Sequence, residues 1–223
     1  MPLVLPGQEV SLSEPGRRFE RHHHFGSYAA LVVRGECCEF GDSGRFEAGP
    51  GNVLVHDSFE GHAALIGPRG AAFLNIQIER SPKCAFGRVA DLDAVVRAFE
   101  KDPVEGRSMF YLHFRPRPPR IADWPDLLAA DLASGRAIRL DQWADSRGIH
   151  PSSLSRGFRL CYGITPKRYR LERMTSRAAR RLVAAGDNIA GVALECGFAD
   201  QAHLTRSMVG LFGTTPSKLR RLS

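Results

Sequence analysis

No apolar run in this chain approaches 18 residues, so no stretch is long enough to cross a bilayer as a helix. An apolar leader core is missing too: Met1 to Glu9 already holds two prolines, a glycine and an acid. Cysteine is sparse. The five residues, at 37, 38, 84, 161 and 196, are odd in number and lack framework spacing, which excludes a disulfide scaffold. Cys37 and Cys38 alternate to opposite faces of one strand and cannot bridge each other without strain. These absences lead to the expectation of a protein that is neither secreted nor membrane-spanning, with reduced thiols in a cytoplasm.

What remains is ordinary globular material with one uneven feature. Of the 223 residues, 43% are hydrophobic and 25% charged. Residues 1–120 hold 15 Lys+Arg against 15 Asp+Glu, and residues 121–223 hold 16 against 9, so the whole net charge of +7 sits in the second part. A neutral half followed by a basic half suggests a sensing or pairing module joined to a binder of polyanions. A basic half alone would also suit an acidic protein or a membrane surface.

A repeat decides among these. Gly148–Pro166 (GIHPSSLSRGFRLCYGITP) returns as Gly197–Pro216 (GFADQAHLTRSMVGLFGTTP). Up to the turn the copies are offset by 49, pairing Leu140 with Ile189, Trp143 with Val192, Ala144 with Ala193 and Gly148 with Gly197. After it the offset is 50, pairing Leu154 with Leu204, Arg156 with Arg206, Phe158 with Met208, Gly163 with Gly213 and Pro166 with Pro216. One inserted residue in the second turn accounts for the change. Each copy reads as a short helix, a glycine that tolerates a left-handed end, and a second helix with its own apolar face. Asp200 is placed to cap that second helix in the later copy. Two such units with basic second helices describe paired helix-turn-helix motifs, whose second helices enter the DNA major groove.

Ala193, Gly197-Phe198, Asp200-Gln201, His203-Leu204, Arg206, Gly213 and Thr215-Pro216 resemble the C-terminal signature of the AraC/XylS transcription regulators. The resemblance covers about a hundred residues, Ile121 to Leu222. It implies two helix-turn-helix units joined by a long helix, preceded by a cupin barrel that senses a small-molecule effector or pairs subunits. The expected class is therefore two-domain α+β. A cupin-like β-barrel with a few helices occupies 1–114, a linker 115–121, and an all-α double helix-turn-helix domain 122–223. Pro166 to Ala185 is the expected central helix, with Leu171, Met174, Ala178 and Leu182 as its apolar stripe and arginines over much of the rest. At 1.5 Å per residue it would run about 30 Å, close to the ~34 Å of one DNA turn.

Base readers sit near the start of a recognition helix and point outward. The family pattern, carried over position by position, implies Ser152, Ser155 and Arg156 in the first copy and Gln201, His203 and Arg206 in the second. Arg159 and Thr205 flank them as further DNA contacts, Arg159 being better placed for phosphate. His150-Pro151 replaces the usual polar cap, and Met208-Val209-Gly210 replaces a Phe and a basic residue.

In the first half, short β-rich runs alternate with Gly, Pro and Asp: VLPGQ, FERHHHF, YAALVV, CCEF, GRFEA, NVLVH, HAALI and AAFLNIQI. HHHFGSYAALVVRG and AGPGNVLVHDSFEGH are similar to the two cupin motifs. Alternation puts His22 and His24 on one strand face, and His62 stands where the second motif places its histidine. Tyr28 occupies the position of the acid ligand and is a poor substitute for it. The four residues either line a ligand pocket, or the three histidines hold a divalent metal of the zinc, nickel or iron type; most regulators of the family keep the barrel without metal. His23 and His56 read as exposed or rim residues. A helix marked by Leu92, Val95, Val96 and Phe99 follows, with Asp91 near its start and Pro103 past its end. Helices at this place commonly form the family's dimer contact. The expectation is a non-enzymatic regulator, cytoplasmic and homodimeric, whose partners are double-stranded promoter DNA, a small-molecule effector and, if it activates, RNA polymerase. No membrane partner is expected.

Overall fold

A computed structural model describes residues 10–78, 84–118, 123–185 and 188–221. The chain forms two compact units, Met1–Arg120 and Ile121–Ser223. The expected strand VLPGQ and residues 119–121 of the expected linker lie outside the described residues.

The first unit is an antiparallel sheet of eight strands: β1 Val10–Ser13, β2 Arg18–His23, β3 Tyr28–Gly41, β4 Gly44–Ala48, β5 Asn52–His56, β6 Gly61–Gln77, β7 Phe86–Val89 and β8 Phe114–Arg117. Its hydrogen-bonded order is β1-β6-β3-β5-β7-β8, with β2 on β6 and β4 on β3. The path is open at β1 and β8, so the expected closed barrel is a rolled sheet instead. The runs YAALVV and CCEF, expected as separate strands, are one strand, and HAALI with AAFLNIQI is another. Gly35 and Gly70 do not end these strands. A Cβ on Gly35 would lie 1.9 Å from the Gly70 carbonyl oxygen, so the two glycines let the long strands touch where they bend. The register slips there, between Val32 and Arg34 and again between Gly35 and Cys37.

Alternation along β3 divides the core. Ala29 and Leu31 join Val53, Ile76, Val95 and Phe110 on one face, under α1 (Leu92–Lys101) and α2 (Pro103–His113). Tyr28, Ala30 and Val32 face the other way with Cys37, Leu54 and Ile66. Asp91 caps α1 through the Ala94 amide, and Asp102 ends α1 while capping α2 through the Glu105 amide. Arg115, Pro116 and Arg117, expected to begin the linker, pair with Arg88, Gly87 and Phe86 as the terminal strand of the sheet, where a proline forfeits no ladder bond on its open side.

The second unit holds α3 Trp124–Ala133, α4 Leu140–Asp145, α5 Pro151–Tyr162, α6 Pro166–Ala185, α7 Ile189–Glu195, α8 Gln201–Phe212 and α9 Pro216–Arg220. The helix α6 has the expected bounds and buries Ala178 and Leu182 of its expected stripe, but its buried face is wider than that stripe and shifted from it. Tyr169, Glu172, Thr175, Ser176, Ala179 and Leu182 are buried, while Leu171 and Met174 are half-exposed. Five helices pack around α6, namely α3, α5, α7, α8 and α9, so small and hydrogen-bonded side chains suit its crowded faces. Glu172 accepts from Arg168 Nε at 2.7 Å, and the Thr175 hydroxyl donates to the Leu171 carbonyl at 2.7 Å. In α3, Leu128 and Leu132 are buried, whereas Leu127 is exposed. Among the described residues no helix is long and apolar enough to cross a membrane.

Candidate nucleic-acid interface and histidine pocket

The repeat seen in the sequence is repeated in the fold. Trp143 and Ala144 in α4, and Val192 and Ala193 in α7, are all buried at matching positions, with both alanines fully inaccessible. Gly148 and Gly197 follow at φ +64° and +92°, values that an L side chain adopts only with strain. The first turn then needs two residues to reach its second helix, Ile149 and His150, and the second needs three, Phe198, Ala199 and Asp200. That is the inserted residue. The helices α5 and α8 are each 12 residues long and end at Gly163 and Gly213 in the left-handed region. They bury Leu154, Phe158 and Tyr162 in one copy, and Leu204, Met208 and Phe212 in the other.

This register fixes which side chains remain outside. Arg156 and Arg206 are each the sixth residue of their helix, and both are exposed. Ser152, Ser155, Arg159 and Gln201 are exposed as well. The other candidates are partly engaged. The Ser152 hydroxyl lies 2.8 Å from His150 Nδ1, and the same imidazole accepts the Ser152 amide at 3.3 Å, so His150 does cap α5. The His203 ring packs edge-on against Phe198 with centroids 5.1 Å apart, and the Thr205 hydroxyl donates back to the Gln201 carbonyl at 2.8 Å. Asp200 accepts the His203 amide at 2.6 Å. On α6 the arginines are more structural than the sequence suggested. Arg170, Arg173, Arg177, Arg180 and Arg181 are half-buried. Arg177 donates to the Cys196 carbonyl at the end of α7 at 3.0 Å, and Arg181 pairs with Glu195.

A helix-turn-helix domain family matches residues 143–222 of the chain. The virulence regulon transcriptional activator VirF of Yersinia enterocolitica is 32% identical over 82 residues. Residues 143–222 are thus a helix-turn-helix domain, similar to that of AraC-type regulators. The aligned part is 37% of the chain and 30% of VirF, so the chain spans about a third of the length of the curated relatives it matches. An AraC-type regulator from Chromobacterium violaceum aligns with 42% of the chain and 86% of its own, at 25% identity and a TM-score of 0.39. ToxT from Vibrio cholerae aligns with 96% of the chain and 98% of its own, at 8% identity and a TM-score of 0.44.

Ahead of the AraC/XylS-type domain, the rolled sheet encloses a pocket of about 250 Å³ reached by five strands and the turn after β2. Phe19, Leu54, Ile66 and Phe73 give it apolar walls, with Ser11, Ser13 and Asn75 as polar groups. His22, His24, Tyr28 and His62 all line it, as expected. The pairing of His22 with His62 across β2 and β6 brings the two cupin-like motifs together. His24 Nε2 and His62 Nε2 are 3.1 Å apart, and the Tyr28 hydroxyl lies 3.3 and 3.2 Å from them. His22, His24 and His62 each offer a ring nitrogen, all within 4.8 Å of one another. His23 turns to the opposite face, beside Arg21 over Gly61.

Two pocket residues escaped the sequence reading. His56, expected at the rim, is 1% exposed and stacks on Tyr28 with centroids 4.5 Å apart. Glu39, two residues beyond Cys37, is buried and lies 3.0 Å from His62 Nδ1 and 3.5 Å from His56 Nε2. Strand alternation would have exposed Glu39 as a pocket residue had the register slips at Val32–Cys37 been legible; they switch which parity of β3 faces inward. Burial dominates the proton affinities here. It pulls His24 down to about 4 and His56 to about 3, and holds His62 well below its ordinary value. It raises Glu39 from its ordinary carboxyl value, Tyr28 well above 10, and the Cys37 thiol to about 12. Burial thus favours the neutral imidazole at His24, His56 and His62.

Proposed function

We propose that this chain is a sequence-specific DNA-binding transcriptional regulator of AraC/XylS type, with a small-molecule effector bound in the rolled sheet. The observation that carries the reading is the shared register of α5 and α8. Both bury the same three positions and leave an arginine exposed at the sixth, so two equivalent reading edges flank a 20-residue spacer helix along the chain. That helix is about 30 Å long, against ~34 Å for one turn of DNA. Arg156 and Arg206 read guanine by paired hydrogen bonds, and Gln201 reads adenine. Ser155, Ser152 and His203 make shorter-range base contacts, Thr205 is a further DNA contact beside them, and Arg159 holds phosphate. The reading carries with it a cytoplasmic homodimer and, for an activator, contact with RNA polymerase.

Selection of bound duplexes from a random pool tests it. The expected result is a motif with two elements centred about one helical turn, roughly 10 base pairs, apart. A pool that stays unenriched at low salt would contradict it.

A further inference from the structure

We infer that the second unit binds a small, free phosphate-type oxyanion in a cavity between α3, α6 and α7, gripped by Arg170 and Arg177. The site lies apart from the reading edges of α5 and α8 and does not depend on the role proposed for them.

The sequence puts the charge there. Arg170, Arg173, Arg177 and Arg180 follow one another by three, four and three residues, which stacks them along one stripe of α6. On a lone helix that stripe would be solvated. Here the end of α3 and the turn after it, with Leu132 and Gly135, and the end of α7, with Cys196 and Gly197, enclose it. All four arginines line the resulting cavity of about 60 Å³, and no carboxylate is among its lining residues. The acids of α6 and α7, Glu172 and Glu195, pair with Arg168 and Arg181, neither of which lines the cavity. The carbonyl ends of α3 and α7 supply only about half a negative charge each. Guanidiniums stay charged at any ordinary pH, so half-buried arginines crowded round one cavity repel one another, and a bound anion relieves that repulsion.

Two of the four are prepared for a ligand. Arg177 is held in place. Its Nη2 donates to the Cys196 carbonyl at 3.0 Å, and its Nη1 lies 2.4 Å from where a Cβ on Gly135 would stand, so the guanidinium packs where only glycine leaves room. Its Nε is buried without a hydrogen-bond partner, and a buried donor left unmade is costly. Arg170 is half-buried and, among the described residues, makes no hydrogen bond or ion pair. Arg173 and Arg180 make further contacts of their own. The planar fork of a guanidinium matches two oxygens of a phosphate or sulfate. A water takes about 30 Å³ of the liquid, so the cavity has room for one such group and none for a nucleoside. Phosphates of a duplex are reached by exposed side chains, whereas these are half-buried and one donor is inaccessible, which favours a free anion. Cys196 and Gly197 belong to the turn that leads into α8, so an anion bridging Arg170 and Arg177 braces that turn against α6.

Inorganic phosphate is the probe. Full-length protein is titrated by calorimetry near pH 7 in a zwitterionic buffer, with potassium chloride holding the ionic strength constant. The expected result is saturable binding of about one phosphate per chain. Arg170→Gln weakens it by about 10-fold or more, and so does Arg177→Lys, which keeps the charge but loses the fork. Lys167→Ala, exposed on the same helix and outside the cavity, leaves the affinity unchanged. Phosphate also raises the Tm of wild type but not of Arg170→Gln, since a ligand of the folded state stabilises it. Circular dichroism checks the fold of each sample, and Arg170, with no bond inside the protein, provides a variant that keeps it. The proposal is overturned if wild type shows no saturable phosphate binding, or if Arg170→Gln and Arg177→Lys both bind phosphate as wild type does. It is overturned equally if Lys167→Ala weakens binding as much as they do, which would mark general charge attraction. Phosphate binding is then repeated with the selected duplex bound. Retained phosphate supports the site. Phosphate displaced by the duplex, with duplex affinity lowered in Arg170→Gln, would put a backbone phosphate in the cavity and overturn the free ligand. A failure of phosphate binding with duplex binding intact sinks this inference and leaves the regulator reading standing.

Discussion

Replacing Arg206 or Arg156 by alanine separates base reading from simple charge attraction. Both side chains are exposed, and among the described residues neither is hydrogen-bonded or ion-paired. Truncation therefore removes no contact within the protein, and stability should change by less than about 0.5 kcal/mol. An arginine that grips guanine through two hydrogen bonds is worth ~1–3 kcal/mol of discrimination. At 25 °C that is roughly a 5- to 150-fold loss of affinity for the selected duplex. The two positions lie on different helices and share no partner, so the double variant should lose about the sum, ~2–6 kcal/mol. Fluorescence anisotropy on the selected duplex and on a scrambled one is the assay. Base reading predicts a large drop on the first and a small drop on the second. Phosphate binding instead predicts equal drops on both and a salt slope shallower by about 0.9. Unchanged affinity for the selected duplex in either single variant would refute the assignment of that arginine.

Other outcomes follow from burial and backbone geometry. Glu60 is 5% exposed, and burial raises its carboxyl to about 7 against an ordinary 4.5. Between those values the folded chain holds a proton that the unfolded chain releases, so this group's contribution is present below pH 4.5 and lost as pH rises through about 7. The loss is on the order of 3 kcal/mol at most. Urea unfolding should show Glu60→Gln gaining on wild type between pH 5 and pH 8; a pH-independent difference would contradict this. Gly210 lies inside α8 with nothing within 4 Å of where a Cβ would stand. Gly210→Ala should stabilise by about 0.5–1 kcal/mol, read as a raised Tm. Leu204 is fully buried. Leu204→Ala should cost ~2–5 kcal/mol in urea unfolding and lower the urea midpoint.

The helix-turn-helix units were legible because local chemistry dictates them. Glycines at Gly148, Gly163, Gly197 and Gly213 take left-handed conformations that few other residues tolerate, and the repeat doubled each signal. Less of α6 could be read. Periodicity assigns apolar residues inward, but this helix is enclosed by five others and buries Glu172, Thr175 and Ser176, two of them through their own short-range hydrogen bonds. The sheet was legible as short strands but not as two long ones, since glycine in a strand marks either an end or a bend. The same bends concealed Glu39. His22, His24, Tyr28 and His62 were found by motif spacing, whereas Glu39 and His56 reach the pocket only through strand register, which a single sequence does not display.

The central claim is that two helix-turn-helix units held by α6 grip neighbouring grooves on one side of the same duplex. Inserting about five base pairs, half of a ~10-base-pair turn, between the two selected elements tests it most directly. The account predicts that affinity of the full-length protein falls to that for a duplex carrying one element, and that restoring a single unit's worth of contact requires neither arginine of the other. Affinity unchanged by the half-turn insertion would contradict it.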